Sequence, residues 1–182
     1  MLCDRIVPMI MDLPQHYDVP FYSQFQDIPG VEWQKKGCGI AALAMAIEFY
    51  KPNGVAVMQL LAEAIEAGAY QPGIGWKHKQ LSSVVENYGL EGKNYDFSKL
   101  GNLAAFERMK YFLQDGPVIV SIHNKFNPKA TLGHIVVVTG IENGFIHYND
   151  PAGMKVEKKI STSNFLKGWK KRFIVVRIPE LS

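Results

Sequence analysis

The chain has 182 residues, with 20 Lys and Arg against 17 Asp and Glu, and 47% of its residues are hydrophobic. This composition is typical of a folded globular protein and excludes a disordered chain or a coiled coil, while the length predicts one domain. Two cysteines, Cys3 and Cys38, are too few for a disulfide-stapled scaffold or a four-cysteine zinc site. The net charge of +3 is too small to indicate nucleic-acid or membrane binding. We therefore expect no nucleic-acid partner, no cofactor and no metal.

The N-terminal segment lacks the pattern of a secretion signal. Its longest apolar run, residues 6–11, contains Pro8 and follows Asp4 and Arg5. A signal core needs roughly 7–15 apolar residues and a cleavage site of small residues. No run approaches the ~20 apolar residues of a membrane helix. The sequence therefore predicts a cytoplasmic protein without a membrane span, unless a signal has been removed.

The positive charge is concentrated near the C-terminus. Residues 151–182 contain eight Lys and Arg and two Glu, or +6, whereas residues 1–150 contain twelve against fifteen, or −3. The basic residues are Lys155, Lys158, Lys159, Lys167, Lys170, Lys171, Arg172 and Arg177. Such a stretch attracts acidic partners, but a solvated face on a terminal helix and strand is the simpler interpretation.

The predicted elements begin with helices. After a Pro- and Gly-rich lead-in over residues 12–37, a helix is predicted over 38–50, where apolar residues surround the axis almost completely and Pro52 follows the end. Further helices are predicted over 57–67, 80–88 and 103–114. A Gly-rich loop with aromatic residues, 70–76, separates the second from the third.

Strands follow the helices. They are predicted over 117–123, 133–141, 145–149 and 173–178, with a short helix over 162–168 and a hairpin turn at Asn143-Gly144. Helices followed by antiparallel strands predict an α+β fold. We divide the single domain, 1–182, into an extension (1–17), a mainly helical half (18–102) and a mainly β half (103–182).

Cys38 is the strongest candidate for chemistry. It follows Lys35, Lys36 and Gly37 and begins the apolar helix, where the partial positive charge and free N–H groups of a helix N-terminus favour thiolate over thiol. Gly37 and Gly39 are expected to allow a substrate to approach the backbone closely. The alternative is a buried cysteine in a core helix, the commonest environment of this residue.

A nucleophilic cysteine needs a base and a group that orients the base. His134 begins a Val-rich strand, and Asp150 ends the next one before Pro151. Pairing centred near Glu142 would bring the two together across the hairpin, and a carboxylate would fix the tautomer of the imidazole and stabilise its protonated form. The alternative is an ordinary strand-end histidine and a capping aspartate. The remaining histidines, which have no comparable partner pattern, are His16, His78, His123 and His147.

Four segments together resemble a known family. They are residues 18–24 (DVPFYSQ), 37–45 (GCGIAALAM), 133–140 (GHIVVVTG) and 149–153 (NDPAG). Their sequence and order are similar to the bacteriocin-processing (double-glycine leader) branch of the papain-like cysteine peptidases, and most of all to its stand-alone bacterial domains. The resemblance extends from about residue 18 to 179. It implies a papain-like fold with the cysteine at the start of a buried helix, followed by an antiparallel sheet.

The resemblance also implies roles for individual residues. Cys38 would be the nucleophile, His134 the base and then the acid, and Asp150 the orienting carboxylate. Gln24 would form the oxyanion hole with the backbone N–H of Cys38. Many members carry this glutamine six positions before the cysteine, where this chain has Glu32, so Gln34 is a second candidate.

The function expected from these features is hydrolysis of a peptide or amide bond through a thioester, with a peptide or protein as substrate. Two alternatives stay open: a peptide-binding module of the same fold without turnover, and an acyltransferase of the transpeptidase or transglutaminase type. Four residues are candidates for lining a cleft near the cysteine: Trp33, Tyr70, Trp76 and His78. Neither the substrate nor the oligomeric state follows from the sequence.

Overall fold

The computed structural model describes residues 16–154 and 157–180, and in this part of the chain helices precede a six-stranded antiparallel sheet, as predicted. The predictions for Cys3, the apolar run 6–11 and Lys155 fall outside the described residues. Among the described residues, no helix is both long and apolar enough to cross a membrane.

The helical elements lie mostly before the sheet. The α-helices are α1 (Val31–Gln34), α2 (Cys38–Tyr50), α3 (Val57–Glu66), α4 (His78–Ser83), α5 (Asn102–Leu113) and α6 (Thr162–Gly168). Two short 3-10 helices are formed by Val84–Tyr88 and Asn124–Phe126. The helix predicted over 80–88 is thus divided into α4 and the first 3-10 helix, which ends at Gly89 in the left-handed conformation.

The strands form one large sheet and one small hairpin. The hairpin pairs β1 (Tyr70–Gln71) with β2 (Gly75–Trp76). The large sheet comprises β3 (Glu91–Asp96), β4 (Val118–His123), β5 (Gly133–Glu142), β6 (Phe145–Asn149), β7 (Lys158–Ser161) and β8 (Trp169–Arg177). Its strand order is β3-β8-β4-β5-β6-β7, so β4 and β5 lie in the middle.

Both faces of the sheet are covered, which explains the continuous apolar run in β5. Ile135 and Val137 belong to the core that contains α2 and α3. Val136 and Val138 belong to a second core on the other face, with α5 and α6. A strand buried on both sides needs apolar residues at every position rather than at alternate ones. The N-terminus of α2 is thereby held next to the first residues of β5.

Two elements of the sheet are absent from the predictions because their residues are polar. β3 is an edge strand with no fully buried residue, so Glu91–Asp96 shows no apolar alternation. β7, the other edge strand, has none either. Such strands are specified by the partner that they pair with rather than by their own composition.

Two bulges interrupt the ladders. Between β5 and β6, Val138 pairs with Tyr148 and Gly140 with His147, which leaves Thr139 unpaired. The carbonyl of Thr139 accepts a hydrogen bond from the backbone of Tyr17 at 2.8 Å. Between β4 and β8, Ser121 pairs with Arg172 and Ile122 with Trp169, so Lys170 and Lys171 are extra residues on β8.

Candidate active site

Cys38 is the first residue of α2, as predicted, with Gly37 at the N-cap position. The residues behind it, Gly39 to Ile47, are all buried, which anchors this end of the helix in the core. The side chain of Cys38 is partly exposed and lines a cavity of about 780 Å³. The thiol is therefore accessible from this cavity, although its helix is almost entirely internal.

The glycines on either side of Cys38 have a different role from the predicted one. A Cβ atom on Gly37 would lie 2.2 Å from Ile28 Cδ1, and one on Gly39 would lie 2.6 Å from the Trp76 indole. Protein groups therefore occupy the space that we expected a substrate to use. Trp76 also donates from Nε1 to the carbonyl of Lys36 at 2.6 Å, which ties the cavity wall to the turn before Cys38.

His134 and Asp150 are brought together as predicted. The imidazole Nε2 lies 2.7 Å from Asp150 Oδ1, and the two side chains are only 11% and 20% exposed. Cys38 and His134 line the same cavity. Burial disfavours the charged imidazole, but the interactions with Asp150 and Cys38 outweigh it and raise the pKa of His134 to about 9. The ring is therefore cationic at neutral pH.

Asp150 is held by more than the histidine. Its Oδ1 accepts from the backbone N–H of Ala152 at 2.9 Å, and its Oδ2 accepts from Lys158 Nζ at 3.0 Å. Burial would raise the pKa of Asp150, but the hydrogen bonds from His134, Lys158 and Ala152 hold it well below its usual range. The sequence gives no signal for Lys158 at this site. Lys158 reaches the carboxylate because β7 pairs with β6, where Lys158 lies opposite Tyr148.

The hairpin turn lies at Asn143-Gly144, as predicted, so the pairing is centred there rather than near Glu142. Glu142 pairs with Phe145, so the turn is centred on Asn143-Gly144. Regular pairing from this turn would place Asp150 opposite Val137, whose side chain points to the other face from His134. The bulge at Thr139 shifts the ladder by one residue, so Val137 faces Asn149 instead. Asp150 is the residue directly after this last pair of the ladder.

Gln24 is buried beneath the turn that precedes Cys38. Its side-chain Nε2 donates to the carbonyl of Gln34 at 2.7 Å, and its backbone N–H donates to Pro151 at 2.8 Å. The side-chain amide of the other candidate, Gln34, donates to the carbonyl of Ile28 at 3.0 Å. A Cβ atom on Gly37 would be 3.4 Å from Gln24 Cβ. Gln24 thus connects the Cys38 turn with the loop that follows Asp150.

The cavity beside Cys38 and His134 is aromatic and cationic. Tyr70, Trp76 and His78 line it, whereas Trp33 packs against Tyr70 and Trp76 without lining it. Burial and the neighbouring Arg172 lower the pKa of His78 to about 4, so this ring is neutral at neutral pH. Six Lys and Arg residues and a single carboxylate, that of Asp96, contribute to the same wall.

The other histidines lie away from this arrangement or serve as local hydrogen-bond partners. His123 Nδ1 is 3.0 Å from the carbonyl of Ala130. His16, His147 and Glu157 form the one group in the described part of the chain with metal-ligating atoms within 4.8 Å of one another. There His147 Nδ1 lies 2.8 Å from Glu157 Oε1, and the rings of His16 and His147 stack. These contacts between surface side chains account for the closeness of the three residues.

Replacement of Asp150 by Asn should lower the pKa of His134 from about 9 toward its ordinary value of 6.5, because the charged hydrogen-bond acceptor is lost. The imidazole signals of His134, titrated by NMR, measure this change. Lys158→Met is the matched control, since it removes another partner of Asp150 but leaves the contact with His134 intact. An Asp150→Asn protein in which the pKa stays near 9 would contradict this account.

The same contact predicts how stability depends on pH. The pKa of His134 is raised above 6.5, so its contribution to the free energy of unfolding is complete below pH 6.5 and is lost as the pH rises through about 9. The lowered pKa of Asp150 also adds to the free energy of unfolding, but with the opposite pH dependence: this contribution is complete at neutral pH and is lost only in acid. Urea titrations between pH 6 and 10 should therefore show a decline in the wild type that is much smaller in Asp150→Asn. Equal slopes would argue against the pair.

Comparison with known proteins identifies the family and the fold. Residues 16–173 match the family model described as the Peptidase_C39 like family. A search of curated proteins found no match. Among solved structures, a double glycine motif protease from an AMS/PCAT transporter, in complex with a leader peptide, is 24% identical, with a TM-score of 0.61 over 89% of this chain and 93% of that one.

Two further structures have the same fold. The peptidase domain of Streptococcus ComA is 19% identical, with a TM-score of 0.61 over 80% of this chain and 93% of that one. A putative C39-like peptidase from Bacillus anthracis is 16% identical, with a TM-score of 0.63 over 91% and 96%. The papain-like α+β fold expected from the sequence is confirmed. Since the family match covers most of the chain, the protein belongs to the Peptidase_C39 like family of cysteine peptidase-like hydrolases.

Proposed function

We propose that the protein cleaves peptide bonds with Cys38 as nucleophile, His134 as general base and acid, and Asp150 as the orienting carboxylate. The observation that carries the proposal is the hydrogen bond of His134 to Asp150 at the edge of the cavity that Cys38 also lines. Because Nε2 faces Asp150, Nδ1 is the nitrogen left for the thiol and the substrate. This is the order of groups that an activated nucleophile requires.

The reaction follows from the charges of these groups. The sulfur of Cys38 attacks the carbonyl carbon, and the new C–S bond converts the carbonyl into an oxyanion. When the C–N bond breaks, the imidazolium of His134 gives its proton to the leaving amine. The neutral ring then takes a proton from water, which attacks the thioester and releases the acid. The C–S bond breaks, and the thiolate–imidazolium pair is restored.

We assign stabilisation of the oxyanion to Gln24 together with the backbone N–H of Cys38. Gln24 Nε2 uses one N–H on the carbonyl of Gln34, so the second N–H of the same amide is left for a substrate. The contact with Gly37 places this side chain directly under the turn that carries Cys38. Gln34 is the alternative, since its amide donates one N–H to the carbonyl of Ile28 and likewise keeps a second.

A peptide is the substrate class that the comparisons favour. The matched family is a peptidase family, and the AMS/PCAT protease was crystallised with a leader peptide. The cavity beside Cys38 opens along the wall formed by Tyr70 and Trp76, which provides apolar surface for side chains of an extended peptide.

Cys38→Ala should abolish peptide hydrolysis, because no other described group can form the thioester. In the wild-type protein, iodoacetamide should modify Cys38 faster than Cys3 below pH 8, since Cys38 begins a helix and lines the cavity beside His134. Peptide mapping by mass spectrometry measures both rates, and Cys3→Ser is the control that should retain activity. Equal modification of the two cysteines, with hydrolysis unaffected by Cys38→Ala, would overturn the proposal.

Gln24→Ala should lower kcat by about 10²–10³-fold with little change in KM, as expected when one oxyanion donor is removed. Gln34→Ala removes a similar side chain from the same region and should alter kcat much less. Thermal unfolding of both variants separates a loss of fold from a loss of catalysis. If Gln34→Ala caused the larger fall in kcat at equal stability, the assignment would pass to Gln34.

A further inference from the structure

The cavity next to Cys38 and His134 contains more positive charge than its own carboxylates neutralise. Its cationic residues are Lys35, Lys36, Lys77, Lys79, Lys170 and Arg172, and Asp96 is its one acidic residue. Lys36 pairs with Glu32 at 2.6 Å and Arg172 with Asp96 at 3.0 Å. Within residues 16–154 and 157–180, the other four cations have no carboxylate within 4.0 Å.

Lys170 is one of these four cations and lies beside the proposed catalytic groups. Its Nζ lies 3.0 Å from the position that a Cβ atom on Gly133 would occupy, and Gly133 directly precedes His134. The side chain is partly buried, and burial together with Arg172 lowers the pKa of Lys170. A partly desolvated ammonium without a counterion is unfavourable, and an anion bound beside it would offset that cost.

The backbone of β8 is distorted so that Lys170 reaches this position. Lys170 and Lys171 are the two extra residues of the bulge opposite Ser121 and Ile122. Lys171 has φ of 57°, in the left-handed region that non-glycine residues rarely adopt. It is held there by a hydrogen bond from Nζ to Leu100 and one from Phe97 to its carbonyl. Bulges of this kind redirect side chains beside active sites.

We propose that the cavity binds a side-chain carboxylate of the substrate peptide and that Lys170 is the residue that contacts it. This inference rests on the proposed peptidase function, and it identifies the substrate as an acidic peptide. Lys is suited to the role because an ammonium binds a carboxylate as a point charge from many directions. The surrounding lysines add long-range attraction for the same anion.

Binding to the Cys38→Ala protein tests the inference without requiring turnover. Two degenerate pools of fluorescent hexapeptides, identical except that Glu in one is Gln in the other, are titrated by anisotropy. The Glu pool should bind at least about tenfold more tightly, and Lys170→Glu in the same background should remove that preference. Each pool is prepared with a free and an amidated C-terminus, which distinguishes a side-chain carboxylate from the terminal one.

Lys51→Glu in the same background is the matched control, because it makes the same charge change at the opposite end of α2 from Cys38. It should keep the preference for Glu. Equal binding of the two pools, or a preference that survives Lys170→Glu, would overturn the inference while leaving the proposed catalysis intact. Failure of the proposed catalysis would appear separately, as wild-type protein in which Cys38 is neither alkylated preferentially nor required for hydrolysis.

Discussion

The hydrogen bond between His134 and Asp150 is the contact on which the rest of the site depends. It joins the start of β5 to the end of β6, and it fixes the ring nitrogen that faces Cys38. The bulge at Thr139 lies in the same hairpin and shifts its register by one residue before Asn149. The hydrogen bond from Tyr17 to the bulge couples the lead-in segment to the same geometry.

The charges of the site form a connected series from the core to the cavity. Lys158 and the Ala152 N–H keep Asp150 ionised, and Asp150 in turn keeps the buried His134 cationic. On the other side of His134, the cavity wall carries lysines that the protein itself leaves largely unpaired. Asp150 and His134 form the first group and serve the proposed catalysis. The cavity lysines form the second group and serve the proposed recognition of an acidic substrate. The bulge in β8 contains Lys170, the residue of the second group that lies beside Gly133.

The sequence predicts those parts of the site that depend on local pattern. The apolar run after Cys38 predicts the start of a buried helix, and the Asn143-Gly144 turn predicts the hairpin between β5 and β6. The bulge in that hairpin is not marked by any local pattern, and the residue hydrogen-bonded to it, Tyr17, is distant in the sequence. The polar strand β3 and the contact of Lys158 with Asp150 could not be predicted, since each is created by pairing with another strand. Lys170 looked like part of a solvated basic stretch for the same reason.

Trapping of the acyl-enzyme tests the central claim most directly. An acidic peptide thiobenzyl ester is mixed with the protein, the reaction is quenched in acid, and the adduct is located by intact-mass and peptide-level spectrometry. The account predicts one acyl group, attached to Cys38, sensitive to hydroxylamine and absent from Cys38→Ala. Hydrolysis of the ester at the wild-type rate by Cys38→Ala, or an acyl group attached only to another residue, would contradict it.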